Sequence, residues 1–306
     1  MKLVTYRASI EDSARLGVIV SDLVVDAADL GVAMGEEIPD TMLGLIDAGR
    51  PGLAALRSLI DQAGDTPPIH TATALSNVTL LAPIPRPRKN IFGIGLNYVD
   101  HVTESAKVLD TDDSLPKQPV LFSKPPTCVI GPGDGIEHNS KMTKQLDWEV
   151  ELAVIIASTA RHVSRADALG HVFGYSVMID VSARDNRRAG QWIFSKGQDT
   201  YAPFGPCIVT ADDVPDPQAL ELSLTVNGVE KQRANTSLML FKVDELIADI
   251  STGMTLEPGD IIATGTPAGV GAGRDPEEYM WPGDTVVATV EGIGSLRHPI
   301  IDATPD

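Results

Sequence analysis

Short apolar runs rich in Val and Ile recur along the chain, separated by Gly and Pro, a pattern of strands and turns with few helices between them. Near the N-terminus, residues 2–7, 15–20 and 23–25 read as strands, the last two joined by a turn at Ser21 and Asp22. Residues 42–47 and 53–62 carry apolar side chains at helical intervals and stop near Gly64. Pro83, Pro85 and Pro87 then stiffen the chain and forbid a helix or a central strand. That places a boundary between a small N-terminal α+β domain, residues 1–82, and a larger domain, residues 83–306. Beyond it, helices are expected at 98–106, 164–168 and 242–251. The tripeptide Pro-Gly-Asp occurs at 132–134, 258–260 and 282–284. Proline presets the first central dihedral of a type II turn and glycine accepts the positive second one. Two of these tripeptides lead straight into expected strands, 261–263 and 285–290. The fold class is α+β.

One strand-like run departs from this pattern. Trp148, Val150, Leu152 and Val154 alternate with Glu149 and Glu151, so the two carboxylates share a face of an otherwise apolar element. Two buried like charges cost several kcal/mol each unless they are paired, protonated or metal-bound. A second apolar run, 174–179, ends in Asp180. Three carboxylates make an all-oxygen set suited to a hard cation, and not to Zn²⁺. The spacing alone fits equally well the solvated face of an amphipathic strand.

Other candidates are weaker one by one. Asn97 is placed to cap the helix that follows, with His101 and Glu104 one turn apart on one face; a carboxylate beside an imidazole orients it as a base. Taken alone the pair also suits a surface helix. Lys196 sits among Trp192, Ile193 and Phe194, where a cation faces a developing oxyanion or snorkels to solvent. Arg184 and Asp185 read as an internal ion pair. Gly93-Ile94-Gly95 lacks the third glycine of a dinucleotide turn, and residues 265–273 lack the Gly-Lys of a phosphate loop.

Composition narrows the classes further. A net charge of -18 on 306 residues argues against a nucleic-acid partner, and 43% hydrophobic content is enough for a large core. Cys128 and Cys207 lack metal-ligand spacing and read as buried thiols in a reducing compartment. No apolar run approaches the roughly 18 residues a membrane span needs, and a cytoplasmic enzyme is expected.

In their order, these segments resemble the fumarylacetoacetate hydrolase family, in particular bacterial members with a short N-terminal domain. The matching stretches are Gly95-Leu96-Asn97-Tyr98 leading to His101 and Glu104, Phe122-Ser123-Lys124-Pro125, and Asp147-Trp148-Glu149-Val150-Glu151-Leu152. Asp180-Val181-Ser182-Ala183-Arg184-Asp185, Lys196, Val226-Asn227-Gly228 and Thr264-Gly265-Thr266-Pro267-Ala268-Gly269-Val270-Gly271 complete the series. The resemblance implies a mixed β-roll catalytic domain assembled as a homodimer. It implies Mg²⁺ or Mn²⁺ on Glu149, Glu151 and Asp180, water activated by His101 with Glu104, and charge stabilised by Lys196. Substrate contact is expected at Thr266, with Tyr98 and Gly265 beside it, and residues 105–118 are expected to act as a lid. Leu96 stands where some acylpyruvate-cleaving relatives carry arginine, which weakens acylpyruvates as the substrate.

The leading expectation is hydrolysis of a carbon–carbon bond in a β-diketo acid, an acylpyruvate or a sugar-derived diketo acid. The alternative is decarboxylation or keto–enol isomerisation of oxaloacetate or a hydroxymuconate-type acid, which uses the same groups. From other classes come a catalytically silent, metal-stabilised scaffold and, remotely, a dinucleotide oxidoreductase.

Overall fold

The computed structural model describes residues 1–64, 66–68, 70–109, 114–188 and 190–303, with the side chains of 105–109 left aside. The stretch 105–118, expected as a lid, lies for the most part outside the described side chains. Among the described residues the strands form a twelve-stranded sheet, a five-stranded sheet and a two-stranded pair. Helices are few, and the chain has the mixed α+β class read from its pattern.

The large sheet centres on Val150–Ile156, whose seven residues are all buried. Val150, Leu152, Val154, Ile155 and Ile156 each contribute about 1.5–3 kcal/mol by burial. That gain lets the strand carry Glu151 into the interior, at a cost of several kcal/mol. The strand pairs antiparallel with Val172–Ile179, Val150 opposite Ile179 and Glu151 opposite Met178. On its other side lies Ile261–Ala263, which runs parallel to Ile91–Gly95. The five-stranded sheet, Val229–Asn235, Glu221–Val226, Thr285–Val290, Gly294–Asp302 and Ile136–His138, turns Leu222, Leu224, Val286, Ala288 and Leu296 into the same core.

The N-terminal strands join this large sheet. Lys2–Arg7 pairs antiparallel with Ala202–Thr210, Lys2 opposite Val209, so hydrogen bonding runs unbroken across the Pro83 junction. Helices form at Met42–Asp47, Gly49–Ala63, Val99–Leu109, Arg165–Ala168 and Val243–Gly253, close to their expected places, and also at Ala27–Met34 and Ile193–Lys196. Gly133, Gly259 and Gly283 of the three Pro-Gly-Asp turns have φ of 86°, 87° and 98°, the left-handed conformation a type II turn requires.

Candidate active site

The antiparallel register of two strands builds the centre of the site. The strand begins at Val150 and not at Glu149, so the two glutamates do not simply alternate within one strand. Instead the Asp180 N–H donates to the Glu149 carbonyl at 2.9 Å, setting these residues side by side just past the paired segment. Glu149, Glu151 and Asp180 are all buried, and one oxygen from each lies within 4.8 Å of the others.

Three buried cations surround this cluster. Lys196 Nζ donates to Glu149 Oε2 at 2.9 Å, Asp180 Oδ2 at 2.5 Å and Ser182 Oγ at 2.9 Å, which engages all three of its protons. Lys124, fully buried, donates to Asp180 Oδ1 at 2.6 Å and to the Lys196 carbonyl. Arg184 reaches Asp147 Oδ2 through Nε at 2.8 Å and stands 2.6 Å from Glu149 Oε1 through Nη2, an ion pair without hydrogen-bond angles. The expected Arg184–Asp185 pair does not form: Asp185 accepts from Thr143 Oγ1 and the Lys144 N–H instead.

The carboxylates therefore differ in state. Burial alone would raise Glu149, but Lys196, Arg184 and His101 hold it well below the ordinary carboxylate range. Glu151 is pushed well above it, first by burial and then by Asp180 and Glu149. Its Oε2 accepts from the Gly265 N–H at 2.9 Å, while Oε1 is buried without a hydrogen-bond partner among the described residues.

His101 Nδ1 lies 3.3 Å from Glu104 Oε2, one turn along the helix. The Gly269 N–H fixes that carboxylate from the other side at 3.0 and 3.2 Å. Asn97 does not cap the helix. Its amide donates to the Phe241 and Thr264 carbonyls at 3.0 and 2.7 Å and accepts from the Phe241 N–H at 2.8 Å, tying the helix start to two distant loops. Gln232 accepts from the Val150 N–H at 2.9 Å and donates to Thr266 Oγ1 at 2.8 Å, which sets the glycine-rich loop against the carboxylate strand. Asp147 accepts from the Gly271 and Ala272 N–H groups at 2.6 and 3.0 Å and anchors the same loop.

His101, Glu149, Lys196 and Thr266 line one small cavity of about 30 Å³, with Leu96 and Trp192 among its walls. Gly265 touches the site through its backbone bond to Glu151. Tyr98 lines a different cavity, of about 140 Å³, beside Arg233 and Leu238. Lys124, Asp147 and Gln232 were given no role from sequence. The sequence signals for Lys124 are its position closing an apolar run immediately before a proline and its place in the matching stretch Phe122-Ser123-Lys124-Pro125.

The donor set fits a hard divalent ion. All three donors are carboxylates, Glu151 Oε1 is unengaged, and an oxygen accepting from Lys196 keeps a second lone pair. No other group of three or more potential ligands gathers among the described residues.

Comparisons with known proteins agree with this arrangement. The family described as fumarylacetoacetate (FAA) hydrolase C-terminal matches residues 90–301. The oxaloacetate tautomerase YisK of Bacillus subtilis is 40% identical over 269 residues, 87% of this chain and 88% of that one. A fumarylacetoacetate hydrolase from Exiguobacterium antarcticum superposes with a TM-score of 0.80 at 36% identity, covering 99% of this chain and all of the other. A maleylpyruvate hydrolase from Sphingobium sp. SYK-6, solved with manganese(II) and pyruvate, superposes with a TM-score of 0.78 at 32% identity, again over 99% and 100%. With a match spanning most of its length and relatives of this similarity, the chain belongs to the fumarylacetoacetate hydrolase family.

Proposed function

We propose that this protein catalyses the keto–enol tautomerisation of a 2-oxo acid of the oxaloacetate type. One geometric observation carries the reading: His101, oriented by Glu104, lines the same small cavity as Lys196 and Glu149, one member of the carboxylate cluster. Tautomerisation needs a proton acceptor beside a polarised carbonyl and no second reactant. The Bacillus subtilis relative, named for this reaction, supports it over the hydrolysis that the sequence favoured.

With Nδ1 turned to Glu104, the Nε2 of His101 takes the C3 proton of the keto form and returns it to the C2 oxygen. The C3–H bond breaks, the C2–C3 double bond forms and the C2 oxygen ends protonated. Lys196 neutralises Glu149 and Asp180 and keeps a positive charge beside the reacting oxygen. Thr266, held by Gln232, bounds the cavity on the glycine-rich side. Glu149, Glu151 and Asp180 would hold a hard ion, Mg²⁺ or Mn²⁺, which would supply Lewis-acid polarisation of the substrate oxygens.

Carbon–carbon hydrolysis is the second reading, favoured by the maleylpyruvate hydrolase likeness and by a histidine able to activate water. One assay separates the two. Purified protein with Mn²⁺ or Mg²⁺ is given oxaloacetate and a set of acylpyruvates, enol absorbance is followed and products are identified. The proposal expects faster interconversion with total oxaloacetate conserved and loss of the rate in EDTA. Pyruvate and free acid as products turn the reading to cleavage, and no acceleration with either metal points to a silent scaffold. A cytoplasmic homodimer belongs to the same proposal and is tested by light scattering and cell fractionation; no helix among the described residues is long and apolar enough to cross a membrane.

A further inference from the structure

Four cations stand at or behind the cavity, and three are spent on carboxylates: Lys124 on Asp180, Arg184 on Asp147 and Glu149, Lys196 on Glu149 and Asp180. Arg187 is the exception. It lines the cavity with Arg184 and Leu96, yet among the described residues it has neither a hydrogen bond nor an ion pair. Its guanidinium carbon stands over the face of Trp192, 5.9 Å from the ring centroid. Burial, and then repulsion from Arg184, hold its basicity below the usual arginine range, with the attraction of Glu149 and Asp147 ranking after both. The side chain is thus partly desolvated with no carboxylate bonded to it, which is costly for a lone cation and relieved by an arriving anion.

The aromatic ring behind this side chain is closely packed. Trp192 packs against Phe122 with centroids 5.6 Å apart, and it lies so close beneath position 95 that a Cβ on Gly95 would stand 2.4 Å from its ring. Neighbouring Arg188 is turned elsewhere, its guanidinium carbon 3.4 Å over the Phe194 ring. Leu96, also on the cavity wall, offers a carboxylate no side-chain donor. A guanidinium held on an aromatic face, with free donors, is built for bidentate carboxylate recognition.

We propose that Arg187 is a specificity-determining residue that binds the distal carboxylate of a dicarboxylic 2-oxo acid. The proposal rests on the cavity being the substrate site, as argued above. The end of the substrate to be isomerised faces His101 and Lys196, and the far carboxylate meets Arg187, so a monocarboxylic acid of the same length leaves the arginine unpaired. The site thereby selects 2-oxo diacids over acids with an apolar tail.

The test compares malate with lactate, unreactive 2-hydroxy acids that differ in the distal carboxylate, by calorimetric titration of wild type, Arg187→Gln and Arg187→Lys in one Mg²⁺-containing buffer. Wild type is expected to prefer malate by roughly 10- to 100-fold, the range of a charge-assisted hydrogen-bonded pair. Arg187→Gln should lose that preference while lactate affinity holds, Arg187→Lys should recover part of it, and with oxaloacetate the loss should fall on KM more than on kcat. An unchanged malate-to-lactate ratio in Arg187→Gln overturns the proposal. So does a wild-type ratio near one, which needs no variant to fold. Failure of the tautomerase reading looks different: malate still outbinds lactate, but wild type does not accelerate enol conversion.

Discussion

Replacing Glu151 by Gln tests the charge balance of the site directly. Glu149 and Asp180 each face two cationic groups, whereas Glu151 has only the Gly265 N–H, and its other oxygen is unpartnered. Its raised protonation range means that the metal-free fold holds a proton there that the unfolded chain releases, so stability falls as pH rises from the ordinary glutamate value towards the folded one. An amide of the same shape keeps the Gly265 bond and removes the repulsion. Metal-free Glu151→Gln should therefore be at least as stable as metal-free wild type at pH 8.

With metal the order reverses. At an ion concentration 100 times Kd, binding stabilises wild type by about 2.7 kcal/mol. Spread over 306 residues at ~2.1 cal/mol/K each, that is a rise in Tm of about 4 °C. Loss of one of three carboxylate ligands, taken as a ~100-fold loss of affinity, leaves about 0.4 kcal/mol and less than about 1 °C at the same concentration. The assay is thermal denaturation of chelator-stripped protein titrated with Mn²⁺. A full wild-type shift in Glu151→Gln, or a metal-free variant several degrees less stable than metal-free wild type, would refute the assignment.

Three further perturbations reach other parts of the argument. His101→Gln should cut kcat by roughly 10²- to 10⁴-fold while the Mn²⁺ thermal shift persists, and an unchanged rate in stopped-flow absorbance removes the histidine from the mechanism. Gly273→Ala places a Cβ 2.2 Å from Cγ and Cδ of Glu104, so the carboxylate must leave His101; kcat should fall by up to ~10²-fold with about 1–3 kcal/mol lost in urea titration, and a wild-type rate shows that the orientation is dispensable. In the N-terminal unit, burial would raise Asp26, but the bonds from Arg15, the Asp29 N–H and Tyr6 lower it, so its contribution is present above the ordinary aspartate value and is lost as pH falls through the lower folded one. Asp26→Asn should cost about 1–3 kcal/mol at pH 7 and flatten the acid limb of a stability–pH curve below about pH 4.

Local sequence carried the parts of the site that local geometry decides. Glu149, Glu151 and Asp180 stood out because charges interrupted apolar strands, and His101 and Glu104 because three residues make one helical turn. What escaped it was set by pairing across long stretches of chain. Arg184 has Asp185 beside it in sequence, yet the pairing of Leu146–Asp147 with Ser182–Ala183 brings Asp147 within 2.8 Å, and the buried partner wins. Asn97 obeys every local rule for a helix cap and is claimed instead by the backbone at Phe241 and Thr264. Nothing in residues 1–82 announces that Lys2 will lie opposite Val209, which is why the prolines at 83–87 look like a frontier although the sheet crosses them. The choice between hydrolysis and tautomerisation was equally out of reach, because both use the same base and the same carboxylates.

The strongest pointer to chemistry is where charge compensation stops. A buried cluster that existed only to hold the fold would gain by pairing every member, since each unpaired polar group costs about 1–3 kcal/mol. Here Lys124, Arg184 and Lys196 each hold at least one carboxylate, while Glu151 Oε1 has no hydrogen-bond partner and Arg187 no carboxylate among the described residues. One side of the site is short of a cation and the other of an anion. A divalent ion at the first and a substrate carboxylate at the second satisfy both at once, and an acid lacking that second carboxylate satisfies only one.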